Sequence, residues 1–314
     1  MDWTHRLRLR QLQALLSLSS TQNISHSAAE LHMTQPALSK WLKELEGDIG
    51  LPLFERHARG LRPTTYGRTL VEFATRLGNE LDRARDEMAA LRSGSGGRAV
   101  IGASGAAVGS VVPQAVSAAL EAMPNAGIEI REGPMDRLFQ QLLEREIDVA
   151  IGRYAAKYSD PDVRSETLYE ERLHFAVRPE HALARRRNVQ WPELLAHRWV
   201  VWTRDIPVRE LLEATLSESG HAIPRDSIES NSILATVALV ADSDMVAVVS
   251  ERAIELHERT RTLRRLPLRI DTQSAVTMYW RSDVRELPAV ANVLGALRAS
   301  ARRPARGLRG SRTA

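Results

Sequence analysis

The stretch that decides the fold is HMTQPALSKWLKELEGDIG, residues 32–50. Beyond Pro36, the apolar residues Leu38, Trp41, Leu42, Leu45 and Ile49 recur at helical spacing and define one face. Proline has no N–H to donate and fits a first turn, so the helix is expected to begin near Thr34, with Thr34 as N-cap. Thr34, Gln35, Ser39 and Lys40 crowd the same turn, where they add nothing to packing. Upstream, Leu9, Leu12, Leu15, Leu16 and Leu18 outline another helix. Asn23 or Ser25 can cap a short one through SAAELHM, in which Ala28 and Ala29 let a neighbour approach closely. This order is the outline of a helix-turn-helix, whose second helix presents its N-terminal residues to base edges in the major groove. The polar turn then has a use. Gln35 can meet adenine bidentately, Ser39 suits several bases, and Lys40 suits guanine or phosphate.

The next segment, GLPLFERHARGLRPTTYG, residues 50–67, supports that outline. Leu51, Leu53 and Phe54 are expected to be buried, and Arg56, Arg59 and Arg62 alternate with small or apolar residues through a Gly-containing turn. Alone, such arginines are as well read as a solvated face. Beside a helix-turn-helix they read as a β-wing that positions the domain on phosphates. Residues 7–68 resemble the winged helix-turn-helix of the LysR-type transcriptional regulators, on the strength of SAAELHMTQPALSKWLKELEGDIGLPLFER followed by LRPTTYG. The resemblance implies a DNA-binding set of Ser27, Thr34, Gln35, Pro36, Ser39, Lys40, Lys43, Arg56, Arg62 and Thr64. Trp41 departs from the family's usual residue and is expected to pack. The subgroup resembled is that of regulators of sugar uptake and aromatic-acid catabolism, through the run DVAIGRY.

From Thr64 to Gly94 the pattern is one long helix. Leu70, Ala74, Leu77, Leu81, Ala84, Met88 and Leu91 alternate spacings of four and three, a heptad stripe suited to a partner helix. The alternative is an amphipathic helix lying on its own domain. The resemblance implies dimerisation here, with Leu70, Leu77, Leu81 and Met88 at the seam. Two half-sites also suit a helix that reads few base pairs. SGSGGR, residues 93–98, reads as a hinge.

The 314 residues allow two or three domains with sizeable cores. Hydrophobic residues make up 43% and charged residues 26%, as in ordinary globular proteins. No apolar run is long enough to span a membrane, and the N-terminus is too polar for a secretory signal. The absence of cysteine removes disulfide and thiol chemistry and fits a cytoplasmic address. The net charge of +4 is weak support for nucleic-acid binding, because Arg298, Arg302, Arg303, Arg306, Arg309 and Arg312 crowd the C-terminus without an acid. Residues 303–314, almost without apolar content, are expected to be disordered.

After Arg98 strands and helices alternate: AVIGAS, a helix over 108–122, GIEIRE, a helix over 135–145, IDVAIGR, then LHFAVR and onward to a final helix over 286–302. Such alternation argues for a parallel α/β sheet. The resemblance implies an effector domain of two α/β subdomains shaped like a type 2 periplasmic binding protein. The division is then 1–68 for DNA binding, 69–92 for the linker helix, 93–98 for the hinge, 99–164 with 267–302 for subdomain I, 165–266 for subdomain II, and 303–314 for the tail.

Ligands of open α/β sheets sit at carboxyl ends of strands. Here those ends carry Ser104 and Gly105, Arg153, Thr203, Asn231 and Ser232, and Ser250, which form the expected effector set. Each hydroxyl could instead cap a helix. Ser104 is expected to open a helix N-terminus suited to an anion. Arg153, at the end of an apolar strand, needs a partner: an effector carboxylate, or an internal acid such as Glu132 or Asp136.

An enzyme reading finds little support. GASGAAVG spaces its glycines as GxxGxxxG rather than GxGxxG, and no acid–base pair surrounds Tyr154 and Lys157. The nine histidines show no metal-binding spacing, so no catalytic residue, metal or cofactor is expected. A transport solute-binding protein would need a secretory signal and leaves residues 1–92 unexplained. The reading is a transcription regulator that binds promoter DNA, forms a homodimer or homotetramer, and answers to a small carboxylate or sugar acid. Contact with RNA polymerase follows from the resemblance.

Overall fold

The computed structural model describes residues 3–5, 7–57, 60–153, 155–204 and 206–302. Arg59, Tyr154 and the tail over 303–314 lie outside the described residues. The chain divides into two compact units, one built on the residues up to Ser93 and the other beginning at Gly94.

The first unit opens with α1 (Leu9–Thr21), α2 (Ile24–Glu30) and α3 (Gln35–Ile49). Asn23 caps α2 by accepting from the amides of Ser25 and His26, at 3.0 and 3.1 Å. Thr34 caps α3, Pro36 sits in its first turn, and Gly50 ends it at φ 76°. Leu15, Leu18, Ala28, Leu38, Leu42 and Leu45 bury one face of each helix in a shared core, and Trp41 packs against it in part. Burial on this scale stabilises by about 1.5–3 kcal/mol per leucine.

The hairpin β1 (Phe54–His57) and β2 (Gly60–Pro63) follows, and Glu46 of α3 ties it down. One carboxylate oxygen of Glu46 accepts from the amides of Leu53 and Phe54, at 2.7 and 3.1 Å. Leu53 and Phe54 are buried as expected, whereas Leu51 is 39% exposed. Leu51 begins the loop beyond the Gly50 cap, where the chain has left the helix's apolar face. Gly60 takes φ 126°, and a side chain there would meet the Gln22 carbonyl oxygen at 2.4 Å. The long helix α4 (Thr65–Ser93) completes the unit.

The second unit contains β3 (Arg98–Ala103), α5 (Gly105–Val108), α6 (Val111–Ala122), β4 (Gly127–Glu132), α7 (Met135–Leu143), β5 (Val149–Arg153) and β6 (Val163–Val177). It continues with α8 (Trp191–Leu195), β7 (Trp199–Val201), α9 (Pro207–Glu218), β8 (Ile228–Glu229), α10 (Ile233–Ala241), β9 (Val246–Ser250), α11 (Glu251–Arg259), β10 (Arg264–Arg281) and α12 (Pro288–Arg302). All its strands join one sheet in the order β4-β3-β5-β10-β6-β9-β7-β8.

Strand alternation predicts a parallel sheet, but the sheet is mixed. β3 is parallel to β4 and β5, and β7 is parallel to β8 and β9. Between these groups run β6 and β10, which are antiparallel to each other; β10 is also antiparallel to β5, and β6 to β9. These two long strands carry the chain from one group to the other. Their partners change along their length: Val276–Trp280 faces β5, while Leu173–Ala176 faces β9. The passage runs along these two paired strands, Val163–Val177 on the way out and Arg264–Arg281 on the way back. Each end has its own core: Ile101, Ile151, Met278 and Leu297 in one, Phe175, Trp199, Leu212 and Val248 in the other.

Candidate nucleic-acid interface and effector cavity

The first turn of α3 presents its polar groups outward. Thr34, Gln35, Pro36, Lys40 and Lys43 are exposed and Ser39 is half-buried. Gln35 donates from Nε2 to Ser39 Oγ at 3.0 Å, so the two side chains sit on one helical face, one turn apart. Lys40 Nζ lies 3.8 Å from Glu44, an exposed pair of little energetic weight. On the hairpin, Arg56 and Arg62 are exposed and lie on facing strands, one register step apart.

Two residues expected in this set do other work. Ser27 is fully buried, and its hydroxyl lies 2.6 Å from Thr21 Oγ1 where α1 packs on α2. It cannot reach DNA. Thr64 uses its hydroxyl inside the domain: it donates to the Pro52 carbonyl at 2.7 Å and accepts from the Gly67 amide at 3.1 Å. It fastens the hairpin to the start of α4.

The expected seam on α4 divides in two. Ala74 is fully buried and Leu70 packs against the helix-turn-helix core. Leu77, Leu81, Met88 and Leu91 stay 49–79% exposed, and Tyr66 and Phe73, missed in the sequence, extend the same side. The first part of the stripe thus serves its own domain, and the remainder is open.

In the second unit a cavity of about 380 Å³ is lined by Ser104, Gly105, Arg153, Asn231, Ser232 and Ser250, six of the seven residues expected from strand ends. Both strand groups contribute. Glu132 and Asp136, named above as possible partners of Arg153, line it too, and Met135, Tyr158, Trp202 and Ile206 add walls that the sequence did not single out. A volume of this size suits a small metabolite. Thr203 is not among the lining residues, while its neighbour Trp202 is; Thr203 Oγ1 is buried without a partner. Arg209 donates to the Trp202 carbonyl at 2.7 Å and pairs with Glu213 and Glu229, which fixes that wall.

The hydroxyls differ in their commitments. Ser232 caps α10 by accepting from the Ala235 amide at 3.2 Å. Ser104 and Ser250 precede α5 and α11 without capping them, so their hydroxyls are left for the cavity or its floor. The helix expected over 108–122 is α6, Val111–Ala122, and Ser104 precedes instead the separate α5, which has only four residues. A helix that short builds no useful dipole for an anion.

Arg153 pairs with neither Glu132 nor Asp136. Its Nη2 lies 3.0 Å from Glu171 Oε1, and the two side chains are 9% and 2% exposed. Nη1 is buried without a hydrogen-bond partner. Burial pushes the Glu171 carboxyl above its usual range, against the pull of Arg153. Asp136 is engaged instead by Lys157 and Tyr158, whose hydrogen bonds hold its carboxyl below the usual range. A Cβ on Gly152 would stand 2.7 Å from both Met135 Sδ and Ser104 Oγ, so glycine there keeps the cavity open.

Comparison with known proteins decides the family. The model of the bacterial regulatory helix-turn-helix protein, lysR family, matches residues 9–68, and that of the LysR substrate binding domain matches residues 92–302. The chain belongs to the LysR family.

This LysR-family chain is 31% identical to the HTH-type transcriptional regulator GbpR of Rhizobium radiobacter over 79% of its length and 82% of that protein's. It is 29% identical to the GbpR of Azospirillum brasilense over 94% of its length and 87% of that protein's. Its fold is similar to that of full-length CbnR, crystallised with its target DNA, at a TM-score of 0.69, 20% identity and coverage of 94% of this chain and 100% of that one. It is a DNA-binding transcriptional regulator with a domain for a small-molecule effector. No helix among the described residues is long and apolar enough to cross a membrane.

Proposed function

We propose that the cavity between the two strand groups binds a small carboxylate or sugar acid, and that this ligand biases how the regulator engages promoter DNA. The observation that carries this reading is Arg153, whose buried Nη1 lacks a partner at a cavity that also offers Ser104, Asn231 and Ser250. A carboxylate oxygen would supply the missing acceptor, and hydroxyls would meet the remaining polar groups. The ligand would act by preferring one arrangement of the domain over another. Binding, without catalysis, is the whole of the role.

The same reading makes the protein a cytoplasmic homodimer or homotetramer that works beside RNA polymerase. The exposed Leu77, Leu81 and Met88 on α4 support self-association, since a stripe of this kind favours a second helix.

A thermal-shift screen of small carboxylates and sugar acids tests the effector. A ligand at a hundredfold excess over its Kd stabilises by about 2.7 kcal/mol. Hits are expected with the wild type and are expected to vanish in Gly152→Ala, which narrows the cavity between Met135 and Ser104. Hits that persist unchanged in Gly152→Ala would place the ligand elsewhere.

A further inference from the structure

Behind the cavity lining, against Arg153 and Ser250, lies a buried carboxylate, Glu171. Glu171 lies on β6, in the stretch that pairs with Ser274 of β10 where the chain passes between strand groups. Its carboxylate reaches Arg153 on one side. On the other it accepts from the Ser250 hydroxyl and, at 3.5 Å, from the Arg252 amide. Arg252 itself is spent elsewhere. Its guanidinium donates to the Ala301 carbonyl at 2.8 Å and stacks 3.8 Å from the centroid of the Tyr169 ring. The Tyr169 hydroxyl lies 3.2 Å from Ser110 Oγ, and burial pushes its pKa up to about 12, so it stays neutral. Among the described residues lining the cavity, Arg153 is therefore the only cation offered to an anion: Lys157 is held by Asp136, and Glu132 and Asp136 add further negative charge to the wall.

We propose that Glu171 is a specificity-determining residue of the effector cavity: by occupying half of the Arg153 guanidinium, it restricts the site to ligands with at most one negative charge. This rests on the reading of the cavity as the effector site. One guanidinium shared between a buried carboxylate and one ligand carboxylate is a balanced arrangement. A second ligand carboxylate would stand near Glu171, Glu132 or Asp136 with no cation to meet it, and like charges in a desolvated site repel strongly. Neutral hydroxyls, by contrast, can donate to those same carboxylates. Ser250 joins the two functions, since it lines the cavity and holds Glu171.

The test uses the full-length protein with probes that differ in charge on one skeleton: glucose, gluconate and glucarate, and in parallel benzyl alcohol, benzoate and phthalate. Calorimetry gives Kd for the wild type and for Glu171→Gln, which keeps side-chain hydrogen bonding without the charge. The expected result is that the wild type accepts a monoanion and rejects its dianion, and that Glu171→Gln improves dianion binding by about tenfold or more. Should the variant fail to fold, the wild type supplies a second reading through pH. An added anion beside Glu171 favours its protonated form, so dianion affinity must rise as the pH falls from neutral, while the neutral probes stay level. The carboxyls that line the cavity are Glu132 and Asp136, with Glu171 buried behind Arg153 and Ser250, and Asp136 is held low by Lys157 and Tyr158. A wild type that takes a dianion as tightly as the monoanion, or a variant with an unchanged ranking, overturns the role of Glu171 alone. If no acid of either skeleton binds either protein, the effector reading itself falls, and the role of Glu171 with it.

Discussion

Arg153 and Glu171 form an ion pair almost wholly out of water, and such pairs are costly to break rather than generous when formed. Arg153→Ala should leave Glu171 as an uncompensated buried carboxylate and cost about 3–5 kcal/mol. Combining it with Glu171→Gln should return most of that loss. Urea unfolding of the two single variants and the double variant checks this; additive losses would contradict the pairing. His181 offers a second residue-scale test. It is buried, its Nδ1 accepts from the Leu183 amide at 3.0 Å, and burial pulls its pKa below the ordinary 6.5. A depressed folded pKa means stability present above pH 6.5 and lost as the pH falls through the folded value. His181→Asn, which keeps an acceptor for the Leu183 amide, should flatten the decline of melting temperature as the pH falls below about 6.5. Identical pH profiles for the two proteins would remove His181 as a cause. At this scale the sequence was only partly legible. Ser104, Arg153 and Ser250 could be found because strand ends are where ligands gather. Ser27 and Thr64 could not be sorted from exposed hydroxyls, since burial depends on which helix packs above them. Glu171 carried no signal, because its partner is 18 residues away and meets it only through the sheet.

Among the elements, α3 was the most legible, for its cap, its proline and its apolar spacing all agree on one helix. The hairpin was legible through its arginines. For α4 periodicity showed a stripe but not its division, because one face serves both the core around Ala74 and the open part beyond. Leu81→Asp should therefore leave folding intact, since Leu81 is 49% exposed, and should dissociate the proposed oligomer. Sedimentation velocity would read the shift. Leu38→Ala, in the buried face of α3, should instead cost about 2–5 kcal/mol in stability. A Leu81→Asp protein of unchanged mass in solution would return α4 to the role of an amphipathic helix with no partner. The mixed sheet was the least legible element. β6 and β10 run 15 and 18 residues, and β6 is buried unevenly along its length. They look like ordinary strands interrupted by polar residues until their changing partners are seen.

For the whole molecule, sequence and structure divide the labour cleanly: a unit that carries the reading helix and the open stripe of α4, and a unit that carries the cavity. A regulator built this way has to recognise DNA by sequence, and the exposed polar first turn of α3 is the proposed place of that recognition. Gln35→Ala should cost about 1–3 kcal/mol at particular base pairs. Arg62→Ala should weaken all sequences alike and lower the salt slope by about one. Genome-wide mapping of the DNA bound by the wild type and by Gln35→Ala tests this most directly. Discrete sites are expected for the wild type, fading in the variant while its affinity for random DNA is retained. The same sites at the same occupancy in both proteins would contradict that assignment.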